Sequence, residues 1–234
     1  MKNFKVWLLV LPLFTVACSN DLNITEEVGT TTTYNEKKSL VDPDNSLNPY
    51  DYTGRIHNDI LKTLDELDLN YTSAEQISSI IDSVAAEHPE VPSPAASLSG
   101  LATEISWMAE DDGAFDDVLL DSSLGSTAKS SLSGFMDSLI AIIDGSYEEI
   151  YSMIVLYEDL VLANTGFTVT EKRIILTTTS VARFSFHRKK RKDKDWETSV
   201  GSYAGTVYGA QEDAILGLKL AAAVGVYQNN LISE

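Results

Sequence analysis

The chain has 234 residues, one cysteine, 44% hydrophobic and 22% charged residues, a composition that excludes a disulfide-stapled mini-protein and a chain disordered throughout. Its 17 basic and 35 acidic side chains leave a formal charge of −18. That balance argues against a general nucleic-acid binder, which needs a basic face to displace phosphate counterions. The length fits one domain, or at most two.

Met1 to Lys5 is a short positive region, and Val6 to Phe14 is an apolar run too short to span a bilayer. Together they predict a secretory signal over residues 1–17. Thr15-Val16-Ala17-Cys18 then resembles the lipobox of bacterial lipoproteins, departing from it at Thr15, where that family usually carries leucine. The resemblance implies that Cys18 receives fatty acyl chains, palmitate among them, and becomes the first residue of the mature chain. It further implies an address in the cell envelope, at the outer membrane, with the periplasmic or surface face open. Lipidation of the only cysteine would remove thiol catalysis, disulfides and Cys-based zinc sites together.

Residues 18–50 are polar, threonine-rich and punctuated by proline, with no apolar period, and read as a flexible tether. Thirty such residues, 19–48, have a root-mean-square span of about 30 Å. Asp42, Asp44, Ser46 and Asn48 alternate like the start of a calcium loop, but Leu47 and Thr53 stand where its glycine and glutamate belong.

From residue 51 to 234 the pattern is helical. Ile56, Ile60, Leu64 and Leu67 predict a first helix; Thr72 to Gln76 supply a capping start for a second, which carries Ile77, Ile80, Ile81 and Val84. His88 to Pro94 stop that helix. Leu98, Leu101, Ile105 and Met108 mark a third, and Thr127 opens a fourth through Leu132, Phe135, Met136, Leu139, Ile140 and Ile143. A capping box at Ser146 to Glu149 begins a fifth, through Ile150, Ile154, Tyr157 and Val161 to Asn164-Thr165-Gly166. After Thr170 the β-branched Ile174, Ile175, Thr177 to Thr179 and Val181 suit a strand; a helix with Thr170 as N-cap is preferred, since no partner strand is evident. The expected fold is all-α, an antiparallel bundle of about seven helices.

Gly201, Gly205 and Gly209, then Gly217, Ala221 and Gly225, place small residues at four-residue spacing, the pattern of close helix contact. One straight helix would carry that stripe about 240° around its axis. Two helices folding back at Gln211-Glu212-Asp213 solve this, so residues 196–234 are expected to form a packed hairpin. The alternative is a membrane-active glycine zipper, against which Glu212, Asp213 and Lys219 interrupt each apolar window.

Charge is polarised, with −24 over residues 19–171 and +4 over residues 172–234. Arg188, Lys189, Lys190, Arg191, Lys192 and Lys194 follow a predicted helix end, where cations also favour the macrodipole. They are candidates for a patch that docks an anionic glycan or an acidic protein; the other reading is a solvated charged terminus.

Asn48-Pro49-Tyr50-Asp51-Tyr52 with His57-Asn58-Asp59, joined to the lipobox and the small-residue hairpin after Trp196, resembles small uncharacterised lipoproteins of the Bacteroidota. The resemblance implies an export route and no reaction. No HExxH, GxSxG, P-loop or dinucleotide fingerprint is present. No cofactor is implied. His57 with Asp51 and Asp59 is the best local cluster, but residues two apart on a helix face different ways. Asp111, Asp112, Asp116, Asp117 and Asp121 read as a solvated loop, or as a carboxylate group for an ion or a catalytic pair. The expected function is therefore a noncatalytic, envelope-anchored binding or structural module, held to the membrane by lipid. The alternative is a hydrolase whose carboxylates converge only in three dimensions.

Overall fold

The computed structural model describes residues 41–67, 73–192 and 200–233, with the backbone alone at residues 189–192 and 232–233. The predicted signal, Cys18, the tether up to residue 40, Lys194 and Trp196 lie outside the described residues. The fold is all-α, with no strand and nine helices among the described residues: α1 Asp51–Leu67, α2 Ala74–Ala86, α3 Ala102–Glu110, α4 Ala114–Asp121, α5 Ser126–Ala141, α6 Tyr147–Ala163, α7 Val169–Lys192, α8 Val200–Ala210 and α9 Ala214–Ser233.

The helix absent from the expected set is α4. Phe115, Val118 and Leu119 are buried at helical spacing, and Asp116 and Asp117 occupy its first turn, where carboxylates favour the positive end of the macrodipole. With Ala114 these make four buried apolar anchors, which outweigh the local acidity, so the acidic stretch is helix over most of its length rather than a solvated loop. The capping boxes set the helix starts. Ser146 accepts from the Glu149 amide while Glu149 answers to the Ser146 amide at 3.0 Å. At α7 the cap is Thr168, not Thr170: its hydroxyl accepts from the Glu171 amide at 3.2 Å, and its own amide donates to the Glu171 carboxylate at 2.7 Å.

The β-branched run of α7 is helical because it is enclosed. Residues 174–186 are all buried. Thr178 returns its hydroxyl to the Ile174 carbonyl at 2.8 Å, a local acceptor that the helix itself supplies to a buried donor.

The last helix of the chain is the innermost. α9 packs against α1, α2, α3, α7 and α8, and residues 214–226 are buried on every side. Most of its neighbours are distant in sequence. α8 and α9 fold back across residues 211–213 as an antiparallel hairpin. A Cβ at Gly209 would lie 2.7 Å from the Gly217 amide nitrogen, and one at Gly205 would lie 2.9 Å from the Leu220 carbonyl oxygen. Such distances require bare backbone. A Cβ at Gly225 would lie 2.7 Å from the Ser202 hydroxyl, and one at Gly201 would lie 2.6 Å from the Met108 carbonyl oxygen of α3, so the stripe serves three helices rather than two.

Residues 41–50 are part of the packed structure and not of a flexible tether. Asn45 is 6% and Asn48 3% exposed. The alternation that mimics a calcium loop is a series of side-chain turns: Asp42 accepts from the Asp44 amide, Asn45 from Leu47 and Asn48 from Tyr50, at 3.1, 3.2 and 2.8 Å.

Candidate functional site

The strongest polar constellation is buried where the 41–50 segment crosses α6 and α7. Glu158, fully buried in α6, accepts from Asn45 Nδ2 at 2.6 Å, Asn48 Nδ2 at 2.8 Å and Thr179 Oγ1 at 2.9 Å, and its Oε1 lies 3.4 Å from Arg183 Nη2. Arg183, also fully buried, pairs with Asp51 at 2.5 Å. Asp51 in turn accepts from the Asn45 amide at 3.0 Å. The Asn48 to Asp51 motif is thus a clasp that fixes the start of α1 to the core. Gly54 completes it: its amide donates to Ser180 Oγ at 3.0 Å, and a Cβ there would lie 2.5 Å from the Ser180 carbonyl oxygen.

Two further cations are held inside. Lys219 of α9 pairs with Asp82 of α2 at 2.5 Å and donates to the Ala96 carbonyl. Asp82 also accepts from Ser97 Oγ at 2.6 Å and from the Leu98 amide at 3.0 Å, tying the proline-rich stretch after α2 to the hairpin. Arg188 is 6% exposed and pairs with Asp65 of α1 at 2.6 Å, with a second bond to the Leu61 carbonyl at 3.3 Å. This corrects its assignment to an exposed docking patch. α7 continues to Lys192, so the basic run begins within a helix and its first member faces α1. Lys189, Lys190, Arg191 and Lys192 follow on the last turn, and their side chains, like Lys194, lie outside the described residues.

His57 does not cluster with Asp59. It is 2% exposed on the face of α1 toward α7, where burial and then the Arg188 charge push it down to about 3. Asp59 instead faces α2, with Oδ2 3.4 Å from His88 Nε2. The Glu90 amide donates to His88 Nδ1 at 3.3 Å. Both ring nitrogens are therefore engaged, with Nδ1 as acceptor and Nε2–H toward the carboxylate.

His88 and Asp59 stand at one end of a groove of about 400 Å³ between α1 and α2, lined by Asp59, Ile60, Thr63, Ser83, Val84, Glu87, His88 and Pro89. The Thr63 and Ser83 hydroxyls donate to the carbonyls of Asp59 and Ser79 at 3.0 and 2.8 Å. The groove thus has an apolar floor of Ile60, Val84 and Pro89 under a rim whose carboxylates are Asp59 and Glu87. A second, open concavity of about 680 Å³ lies on α3 around Trp107, Glu110, Asp111 and Asp112. There Asp111 accepts from Trp107 Nε1 at 3.2 Å and from the Gly113 amide at 2.8 Å, while Asp116, Asp117 and Asp121 lie on α4. Among the described residues no three His, Cys, Asp or Glu side chains are placed to hold a metal ion.

Sequence reading missed Glu158 and Arg183. The signal was present in α6, where Ile150, Ile154 and Glu158 recur at four-residue intervals and all three are fully buried, so a charge on the apolar stripe marks the site. No protein-family profile, curated protein or solved structure matches the chain.

Proposed function

We propose that this chain is an envelope-anchored lipoprotein, fixed by acyl chains on Cys18, whose helical domain is a noncatalytic binding or structural module. What supports the module reading is the commitment of the charged interior. Glu158, Arg183, Asp82, Lys219 and Arg188 each bond to another part of the fold, and His88 has both ring nitrogens engaged. A general acid or base must instead reach the proton that it moves. The hydrolase alternative would draw on the carboxylates that line the two concavities, Asp59 and Glu87 in one and Glu110, Asp111 and Asp112 in the other. The glycine-zipper alternative is weakened by length: α8 has 11 residues, about 16 Å, against a hydrocarbon core of about 30 Å, and no described helix is long and apolar enough to cross a membrane.

The anchor rests on the basic start, the apolar run and the sole cysteine at position 18. With Arg188 held by Asp65, the anionic-partner reading of the basic run falls to Lys189, Lys190, Arg191, Lys192 and Lys194. Mass spectrometry of the mature N-terminus tests the anchor: a diacylated or triacylated Cys18 is expected, and Cys18→Ala is expected to move the protein out of the membrane fraction. A mature chain starting elsewhere, or an unmodified Cys18, overturns it.

A further inference from the structure

We infer that the groove between α1 and α2 is a docking site for a basic amphipathic peptide segment, presented as a helix. The inference deepens the binding-module reading and rests on it. α1 and α2 run antiparallel, and each packs on α9. Between them Ile60 and Val84 line a trough to which Thr63 and Ser83 contribute only short side chains. A trough between two antiparallel helices is the shape into which a third helix lays its apolar side chains, and about 400 Å³ is within the range of pockets that bind. One turn beyond Thr63, on the same face of α1, Leu67 is 47% exposed and extends the apolar strip.

Charge selects the occupant. Asp59 and Glu87 line the rim, and among the described residues no lysine or arginine does. Arg55, one turn before Asp59, is occupied by Glu90 at 3.1 Å and Asp44 at 3.6 Å. α1 and α2 together carry six acids and two bases, an excess that draws cationic partners and repels acidic ones. A segment with leucine or valine on one face and lysine or arginine flanking it satisfies floor and rim together.

The test uses the full chain in neutral detergent micelles, with empty micelles as the blank. The probe is an amidated alanine-rich peptide of about 14 residues, long enough for marginal helicity, bearing leucines on one face and lysines beside them. Its counterpart carries glutamate for lysine. The lysine peptide is expected to bind and to slow amide exchange in 59–63 and 83–88, and Asp59→Asn with Glu87→Gln is expected to weaken it about tenfold. Asp116→Asn with Asp117→Asn, equal in charge change on α4, is expected to leave binding unaltered. Equal binding of the glutamate peptide, equal weakening by the α4 pair, or no binding overturns the proposal. So does a dimer in sedimentation that Val84→Arg dissociates, which would give the groove to a second copy. An unmodified Cys18 would overturn the anchor and leave these results standing, so the two failures are distinguishable.

Discussion

The α8–α9 hairpin and the clasp around Glu158 are both largely buried, yet they are held by opposite means. In the hairpin the backbones themselves touch, since a Cβ at Gly209 or Gly217 would fall 2.7 or 3.0 Å from the facing backbone, and dispersion over that close contact needs no polar group. In the clasp, two carboxylates and a guanidinium are taken out of water and answered by Asn45, Asn48 and Thr179. The difference lies in what each tolerates. Close packing fails by degrees as volume is added, whereas a buried ion fails when one partner leaves.

Removing one partner from the clasp is expected to have the largest effect. Glu158→Ala would leave Arg183 facing Asp51 alone, take the acceptor from Asn45 Nδ2 and leave Asn48 Nδ2 only the Leu176 carbonyl, a change that costs about 3 to 5 kcal/mol in comparable buried pairs. Urea unfolding measures it. Replacing Glu158 by Leu and Arg183 by Met together is expected to cost less than the two single losses combined, because no lone charge remains. Additive losses would show that the two side chains contribute separately and that the clasp is not one unit.

The hairpin should respond less steeply. Gly209→Leu forces α8 and α9 apart and is expected to cost about 1 to 3 kcal/mol, with Gly205→Leu behind it because its facing atoms are slightly farther. Gly134→Ala is the internal control. A Cβ there meets nothing within 4 Å in the middle of α5, and replacing a helical glycine by alanine is worth about 0.5 to 1 kcal/mol in the stabilising direction. If thermal melts moved all three variants alike, glycine in this chain would be acting through helix propensity and not through contact.

The same contrast explains what could be read in advance. The hairpin lay open in the sequence because its contacts repeat: Gly201, Gly205, Gly209, Gly217 and Gly225 keep a local period, and the fold-back at 211–213 follows from helical geometry alone. The clasp joins residues more than a hundred apart, Asn45 and Asn48 with Glu158, and nothing local pairs an asparagine in a polar stretch with a glutamate on an apolar stripe. For the same reason residues 41–50 read as tether and Arg188 as surface charge, since each is decided by a distant partner. The α1–α2 groove is legible only in part. Ile60 and Val84 belong to the predicted helical stripes, while the packing of both helices on α9 joins segments far apart in the chain.

Acidity separates the two regions by a smaller, graded effect. In the hairpin Lys219 pairs with Asp82, whereas beside the clasp α1 and α7 enclose His57 next to Arg188. Burial, then that positive neighbour, lowers the folded-state pKa of His57 to about 3 from an ordinary 6.5. Between these values the unfolded chain binds a proton that the folded chain refuses, so stability falls as pH drops from 6.5 toward 3 and is indifferent to His57 above that window. The slope from one such group approaches about 1.4 kcal/mol per pH unit well inside the window. Carboxylates titrate in its lower half as well, so the comparison that isolates His57 is the difference in slope between the natural chain and His57→Gln. The variant is expected to lose close to one proton of linkage between pH 6 and 4.5 while Gly209→Leu keeps the full slope. Identical slopes for the natural chain and His57→Gln would mean that this imidazole is protonated in the folded state, and that Arg188 and the α1–α7 contact do not exclude its charge.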